Sequence, residues 1–229
     1  PELRKLLFDK EYAAAQQLSI EKMRSPQNGM SYQPAGDLFI DFPGQSNVSN
    51  YKRELDISNA IATTTYTSNG ITYTRECFAS LTKNLIIVKI KASKPGSINC
   101  SGYLSVPHEN KMLGIDSINK CLIASATPKD QEDIVSKIKY TIAVKAINTG
   151  GAITFANNKA VVSNADAVTF YISIATNFIN YTTLDATTKE ASVAIERIND
   201  VSGKSYSKLK EDHIKYYQQF FKRVQFDLG

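Results

Sequence analysis

The hydrophobic and polar positions along the chain follow two different periods. At the start, Leu3, Leu6 and Leu7 share one side of a 3.6-residue repeat, which predicts helix. The run Ser-Pro-Gln-Asn-Gly at 25–29 then interrupts this repeat, because these residues favour turns. Over residues 32–181 the period becomes two, with turn residues at regular intervals. This pattern predicts antiparallel sheets whose strands face water on one side.

The strongest local prediction is a hairpin. Asn69 and Gly70 separate two arms rich in threonine and tyrosine. Both positions of a two-residue type I′ turn need positive φ, and Asn-Gly is the pair that adopts it most readily. Further strands are predicted for LIIVKIKA, IKYTIAVKAI, AITFA, KAVVS and AVTFYISIATNF, with AITFA and KAVVS joined by a turn at Asn157-Asn158.

The last forty or so residues return to a helical period. KEASVAIERIND forms one amphipathic stretch, and a stronger one has apolar or aromatic residues at steps of three and four. These residues are Leu209, His213, Tyr216, Phe220 and Val224. Because such a stripe must be covered and the chain ends in further aromatic residues, we expect a continuation into another domain. The apolar face of this terminal helix, with Phe220, Phe221 and Val224, is therefore expected to be exposed, or covered by a crystal neighbour or a second copy of the chain.

These periods together predict a mainly β protein: a large antiparallel β-sandwich with flanking helices at both ends. We assign residues 1–30 to a helical N-terminal segment, 31–182 to the sandwich and 183–229 to linker helices. With 229 residues, 42% of them hydrophobic, the chain can bury a substantial core. The absence of a starting methionine and of a leader suggests a piece of a longer protein.

Composition argues against several classes of function. The net charge is +5, but the basic residues are spread among acids rather than gathered into a patch, so nucleic-acid binding is not expected. No apolar run is long enough to span a membrane.

Cysteine and histidine spacing predicts neither a metal site nor a cofactor site. Cys77, Cys100 and Cys121 contain no C-x-x-C pair, and His108 and His213 lack a partner at ligand spacing. Buried or half-buried thiols are expected, and one internal disulfide stays open as an alternative.

The segment YQPAGDLFIDFPG holds the first candidate pair of catalytic acids, Asp37 and Asp41. Leu38, Ile40 and Phe42 alternate with them, which predicts a strand with one apolar face. Four strand residues separate the acids by about 13 Å. The two carboxyl groups of an inverting glycosidase lie only about 6.5–9.5 Å apart. We therefore interpret both acids as solvated residues at the edge of a core strand.

A second pair, Glu54 and Asp56, is spaced by about 7 Å along a strand. Lys52 and Arg53 stand beside it, so a surface ladder of charges explains the group without chemistry. Neither a G-x-S-x-G nucleophile motif nor a G-x-x-x-x-G-K phosphate loop is present. We predict no catalytic residue in this chain.

A family resemblance covers nearly the entire chain. The blocks YQPAGDLFIDFPG, YKRELDISNAIATTTYTSNGITYTRECFAS, LIIVKIKASKPGSI and HIKYYQQFFKRVQFDLG follow one another at fitting distances. In this order they resemble the amino-terminal domain of glycoside hydrolase family 95, the α-L-fucosidase and α-L-galactosidase family. Ala35 departs from the pattern, since the family usually has a larger aliphatic side chain there.

The resemblance implies a super-sandwich followed by linker helices and an (α/α)6 toroid. It also implies that the general acid, the base-assisting carboxylate and the asparagines that position water all belong to the toroid. This chain would then be the non-catalytic part of an inverting exo-fucosidase, inactive alone, with its own C-terminal catalytic domain as partner. A fucosylated or galactosylated oligosaccharide would be the substrate, no cofactor would be needed, and the enzyme would be periplasmic or secreted.

Tyr32 and Gln33 are the candidate substrate-binding residues. An aromatic face and an amide that both donates and accepts, followed by the rigid Pro34, suit sugar hydroxyls at the rim of a pocket. The alternative is that both side chains only hold the turn before the strand.

The competing function is a stand-alone carbohydrate-binding or structural β-sandwich module. Sugar-binding faces commonly use flat aromatic platforms, and the chain has 12 tyrosines but no tryptophan. Titration of the chain with fucosylated and galactosylated oligosaccharides separates these functions.

Overall fold

The computed structural model describes most of the chain, in two compact units. The described residues are 1–23, 32–131, 133–183, 189–227 and 229. The smaller unit comprises Pro1–Gln33 and Asp130–Ser136. It holds the helices α1 (Glu2–Phe8) and α2 (Tyr12–Met23), which confirms the predicted helical start. The predicted interruption at 25–29 lies outside the described residues.

The larger unit comprises Pro34–Lys129 and Lys137–Gly229 and contains two antiparallel sheets. The four-stranded sheet has the order β1 (Asp37–Asp41), β6 (Ile98–Ser105), β11 (Lys159–Ala165), β10 (Ala152–Ala156). The eight-stranded sheet has the order β2 (Ser49–Asp56), β3 (Ile61–Ser68), β4 (Ile71–Ser80), β5 (Leu85–Ala92), β12 (Ala167–Thr176), β9 (Tyr140–Thr149), β8 (Cys121–Ala126), β7 (Lys111–Asp116). Two helices follow, α3 (Glu190–Val201) and α4 (Tyr206–Phe221). The prediction of a mainly β fold with helices at both ends is confirmed.

Apolar side chains pack on both faces of the eight-stranded sheet. Between the sheets, Ile90 and Phe170 of the eight-stranded sheet meet Ile98 and Val162 of the four-stranded sheet. On the opposite face, a second set of buried residues joins the sheet to α3 and α4: Phe78, Ile87, Tyr171, Ala194, Ile198 and Leu209. The eight-stranded sheet is thus the middle layer of three.

The predicted water-facing side is absent from the centre of that sheet. Strand β12 is buried at six consecutive positions, 168–173, because one face packs on the four-stranded sheet and the other on the helices. The prediction holds better for the four-stranded sheet, where β1 and β10 alternate exposed and half-buried residues. For β12 it was wrong, since a helical layer covers the face that was expected to be wet.

Both predicted two-residue turns are present. Asn69 and Gly70 have φ of 51° and 75°, and they join Ser68 to its cross-strand partner Ile71. Asn157 and Asn158 have φ of 50° and 57° between β10 and β11. These values confirm the need for left-handed backbone at each turn position.

Three strands, β6, β7 and β8, were not predicted. Their sequences are INCSGYLS, KMLGID and CLIASA. In β6 buried and less buried residues alternate strictly, but two of its buried positions hold the small Cys100 and Gly102 instead of large apolar side chains. In β7 and β8 the alternation of apolar and polar residues is itself weak. Strand β6 is nevertheless central to the four-stranded sheet, between β1 and β11.

The three cysteines are free thiols, so the open disulfide alternative is not formed. Cys100 and Cys121 are buried and Cys77 is half-buried, as predicted. Burial raises the pKa of Cys100 to about 12 and that of Cys121 to about 11. These thiols are therefore protonated at neutral pH and unreactive as nucleophiles.

None of the helices in the described ranges combines the length and the apolar character needed to cross a bilayer.

Gly102 provides a test of how closely the two sheets pack. A Cβ at this position of β6 would lie 2.9 Å from Cε1 of Phe170, which is shorter than van der Waals contact. We expect Gly102→Ala to lower the free energy of unfolding by about 1–3 kcal/mol, because overpacking forces neighbouring side chains to shift. Urea denaturation measures this loss.

Gly114→Ala on β7 is the matched control, because no atom beyond its two chain neighbours lies within 4 Å of the added Cβ. It should cause no loss of stability. Equal losses for both variants would contradict close packing at Gly102.

Candidate functional site

The first candidate pair of acids faces solvent. Asp37 and Asp41 are exposed at the two ends of β1, while Leu38 and Ile40 turn inward and pack on the core. Phe39 shares the outer face with the acids and stacks on a tyrosine of β6. The strand interpretation is confirmed, and the two carboxylates do not form a catalytic pair.

The second candidate pair of acids, Glu54 and Asp56, is held by an ion pair and by hydrogen bonds within the turn. Glu54 forms an exposed ion pair with Lys52, with Nζ and Oε1 2.7 Å apart. Asp56 accepts hydrogen bonds from the Asn59 side chain and from the backbone N–H groups of Asn59 and Ser58. The side-chain bond from Asn59, followed by these backbone bonds, lowers the pKa of Asp56. Asp56 therefore caps the turn between β2 and β3.

Within the ranges that the structure describes, no three His, Cys, Asp or Glu side chains come together in a way that could hold a metal ion.

The two predicted substrate-binding residues precede β1. Tyr32 is 96% exposed, and Gln33 is half-buried. Neither side chain hydrogen-bonds to another residue in the described part of the chain. Tyr32 therefore presents its whole ring to solvent.

In the larger unit, residues 34–36 are held by side chains distant in sequence. His108 and Tyr140 are both buried, and their rings meet edge to face at 5.7 Å. Nε2 of His108 lies 2.9 Å from the carbonyl oxygen of Pro34, and the Tyr140 hydroxyl donates to the carbonyl oxygen of Ala35. Because a carbonyl only accepts, Nε2 of His108 carries a proton.

The Tyr140 hydroxyl stays protonated and can therefore keep donating to the Ala35 carbonyl. Burial raises its pKa to about 12, so the hydroxyl remains a donor throughout the neutral range. Gly36 packs so closely that an added Cβ would lie 2.5 Å from the carbonyl oxygen of Ser105. Sequence reasoning missed His108 and Tyr140 as anchors, because they lie 74 and 105 residues from their partners.

A mixed-charge pocket of about 340 Å³ adjoins Tyr140. Its charged lining residues are Lys111, Lys139 and Glu190. Oε2 of Glu190 is buried and has no hydrogen-bond partner among the described residues. Glycoside hydrolysis ordinarily needs two carboxyl groups, one on each side of the scissile bond. With its single carboxylate, this pocket lacks that pair.

Helix α4 is docked on the larger unit through a buried histidine. Nε2 of His213 lies 3.0 and 3.2 Å from the carbonyl oxygens of Asn59 and Ala60, to which it donates. The imidazole also stacks on Phe78, with ring centroids 4.7 Å apart. Together with buried Leu209, this fixes the first half of the predicted stripe on the turn between β2 and β3.

Glu76 of β4 forms a second link to α4. It accepts hydrogen bonds from the Tyr206 hydroxyl, at 2.9 Å, and from the Lys210 ammonium. Burial by itself would raise the pKa of Glu76, but the bonds from Lys210 and Tyr206 outweigh burial and lower it. The ionised form is therefore the one that holds the helix.

The prediction of an exposed apolar face on the terminal helix holds only in part, because Leu209 and His213 are buried and only the end of the stripe is exposed. Phe220 is 46%, Phe221 37% and Val224 76% exposed. The outward side of α4 borders an open depression of about 680 Å³ that includes Ile214 and Gln218. Helix α4 thus carries a buried anchoring half and an apolar end that faces solvent.

The larger unit is a β domain of two antiparallel sheets with a helical layer, and the candidate acids among its described residues do not form a close pair. The chain belongs to the family described as Glycosyl hydrolase family 65, N-terminal domain, whose model matches residues 1–181. This supports the predicted class, an N-terminal domain of a glycoside hydrolase.

Individual proteins of known name are also similar to the chain. "Alpha-L-fucosidase 2" of Arabidopsis thaliana is 28% identical over an alignment of 251 residues that covers 100% of this chain. The chain spans 29% of the length of that curated relative. A solved structure from the human microbiome, described as a kojibiose phosphorylase, has a TM-score of 0.53 and 11% identity. It covers 83% of this chain and 28% of its own, and it supports the fold alone.

Tyr140→Phe tests the anchoring of the 34–36 segment. Loss of the hydroxyl leaves the Ala35 carbonyl without its donor, and we expect a loss of about 1 kcal/mol in the free energy of unfolding. Tyr103→Phe is the control, since the Tyr103 side chain packs on Phe39 through its ring. Urea denaturation of both variants should show a loss only for Tyr140→Phe, and equal losses would contradict a specific role of the hydroxyl.

Glu76→Gln tests the link between β4 and α4 through pH. The folded-state pKa of Glu76 lies below its ordinary value of 4.5. Its ionised form therefore contributes stability that is fully present above pH 4.5 and lost as the pH falls through the lowered pKa. At pH 7 we expect Glu76→Gln to cost about 1–2 kcal/mol, because hydrogen bonds to a charged group are lost.

Urea denaturation of wild type and variant from pH 7 downward measures this contribution, and the difference should shrink below pH 4.5. Glu54→Gln removes an exposed charge of the same kind and should change stability little at any pH. A pH-independent loss for Glu76→Gln would contradict the role of the ionised carboxylate.

Proposed function

We propose that this chain is the non-catalytic N-terminal domain of an inverting exo-glycoside hydrolase of the α-L-fucosidase type, of glycoside hydrolase family 95. One observation carries the proposal: the whole chain aligns with less than a third of a protein named as an α-L-fucosidase. The remaining length of such a protein is ample for a separate catalytic domain. The solvated or capping roles of the four candidate acids agree with this division.

In this proposal α4 connects the β domain to an (α/α)6 catalytic domain. The anchored half of the helix is fixed by His213 and by the Glu76 pair. The exposed apolar end, with Phe220, Phe221 and Val224, packs on the catalytic domain. A rigid helix at this point braces the catalytic domain, because it cannot tilt without breaking the buried contacts of Leu209 and His213.

Tyr32 and Gln33 contribute to the rim of the substrate pocket in this proposal. The exposed ring of Tyr32 supplies a flat apolar face for a sugar ring, and the amide of Gln33 donates to and accepts from hydroxyls. The substrate is a fucosylated or galactosylated oligosaccharide, and the full enzyme works in the periplasm or outside the cell, as the family resemblance implies.

The test uses the full-length enzyme beside the 229-residue chain. The chain alone should not turn over an aryl α-L-fucoside, whereas the full-length enzyme should hydrolyse it with inversion, which NMR of the first-formed anomer detects. Tyr32→Ala and Gln33→Ala in the full-length enzyme should raise KM with little change in kcat, because they remove substrate contacts away from the reacting bond. Tyr181→Ala, at another exposed tyrosine, is the control and should leave both constants unchanged.

Turnover by the repurified chain would overturn the non-catalytic role. Unchanged KM in both Tyr32→Ala and Gln33→Ala would overturn their place at the rim. Tight binding of fucosylated oligosaccharides by the chain alone would instead support a stand-alone carbohydrate-binding module.

A further inference from the structure

A pocket lies on the inner face of the eight-stranded sheet, near its β2 edge. The two sheets differ in width, four strands against eight, and every residue of β2 is exposed. Phe42, Gln45 and Val48, from the segment that joins β1 to β2, face strands β2 to β4. A pocket of about 530 Å³ remains between them, within the usual range of about 300–1,000 Å³ for small-molecule sites.

Strand register arranges the floor of the pocket in two rows. Arg53 of β2 lies opposite Thr64 of β3, and Thr64 lies opposite Arg75 of β4. The next row on the same face contains Tyr66 and its partner Tyr73, whose rings stack at 5.3 Å. Because directly opposite residues project from the same face of a sheet, both arginines are directed to one side.

Arg75 is a half-buried cation without an anionic partner among the described residues. Its guanidinium carbon lies 4.5 Å from the ring centre of Phe42 and 5.2 Å from that of Tyr66. Nη2 donates to the Tyr66 hydroxyl at 2.9 Å, while Nε is buried with no acceptor among the described residues. No described carboxylate forms an ion pair with either Arg75 or Arg53. An unpaired charge that is partly buried is costly, so an anion that reaches it gains binding energy.

A chain of hydrogen bonds runs from Arg75 through Tyr66 to Gln45 and fixes which polar groups of the pocket donate and which accept. Tyr66 accepts from Arg75 and donates its own proton to Oε1 of Gln45, at 2.7 Å. This leaves the NH2 group of Gln45 and the hydroxyl of Thr64 for a ligand. Tyr51, 59% exposed, adds an aromatic surface to the lining.

We propose that this pocket binds a sugar ring that carries a carboxylate or a sulfate. The lining contains two arginines and no acidic residue, which favours an anionic group. The planar guanidinium binds carboxylate or sulfate oxygens in pairs. Tyr51 packs on the ring face, and Gln45 and Thr64 contact its hydroxyls. The net charge of +5 attracts such a ligand to the domain.

This site is independent of the proposed function. It uses neither Tyr32, Gln33 nor α4, and it contains no pair of carboxylates that could cleave a glycosidic bond. An acidic saccharide would be retained here as part of a substrate or of a surface polymer.

The experiment follows backbone amide shifts of the isotope-labelled 229-residue chain during titration with D-glucuronate. D-glucose, the neutral counterpart, and inorganic sulfate are titrated in parallel. We expect saturable shifts at Gln45, Tyr51 and Thr64 with glucuronate and much weaker ones with glucose. Sulfate should bind more weakly than glucuronate, because it lacks the ring that Tyr51 contacts.

Arg53→Gln should weaken glucuronate binding by about 10- to 100-fold, the equivalent of one hydrogen bond to a charged group. Its side chain is exposed, so the variant should remain folded. Lys52→Gln is the matched control, because it removes the same charge from the opposite face of β2 and should leave binding unchanged. Arg75→Lys, which retains the charge but loses the planar fork, should also weaken binding.

Several outcomes would overturn the proposal. Equal affinity for glucose and glucuronate would show that the arginines do not bind the carboxylate. Equal affinity for sulfate and glucuronate would show that the sugar ring adds nothing to binding. Equal losses in Arg53→Gln and Lys52→Gln would indicate attraction by overall charge alone, and the lack of any saturable shift would exclude the site.

Discussion

The eight-stranded sheet buries apolar side chains on both faces, and the rest of the structure depends on this constraint. One face packs on the four-stranded sheet and the other on α3 and α4. The helices are therefore an integral layer of the fold, because without them Phe78, Ile87 and Tyr171 would be exposed to water. The central strands β9 and β12 are accordingly rich in buried apolar residues.

The unequal width of the sheets has a second consequence. Four strands cannot cover eight, so the inner face near β2 is left partly open. Where coverage is complete, as at Gly102 against Phe170, there is no room for one more carbon atom. Where coverage ends, Arg53 and Arg75 occupy the same face that is apolar further along the sheet. The same architecture thus produces a tightly packed core and, beside it, a polar pocket.

Helix α4 and the segment before β1 are held in similar ways. In both, a buried histidine donates to backbone carbonyls of a distant loop, His108 to Pro34 and His213 to Asn59 and Ala60. An aromatic ring supports each imidazole. Buried side chains thus fix the position of residues 34–36 and of the helix that the proposed function assigns to the contact with the catalytic domain.

Local chemistry in the sequence determined the turns, the strands with a clear period of two, and the terminal helices. Asn69-Gly70 needs no distant contact to form its turn, and the alternation around Leu38 and Ile40 already excluded the acids of β1 as a close pair. The small residues Cys100 and Gly102 on the buried face of β6 concealed a central strand, since the burial of that face comes from neighbours far away in the chain. The anchoring roles of His108, Tyr140 and His213, and the row Arg53–Thr64–Arg75, were decided only by the tertiary structure. Strand order and helix docking bring these residues to their partners, and neither can be read from any local run of residues.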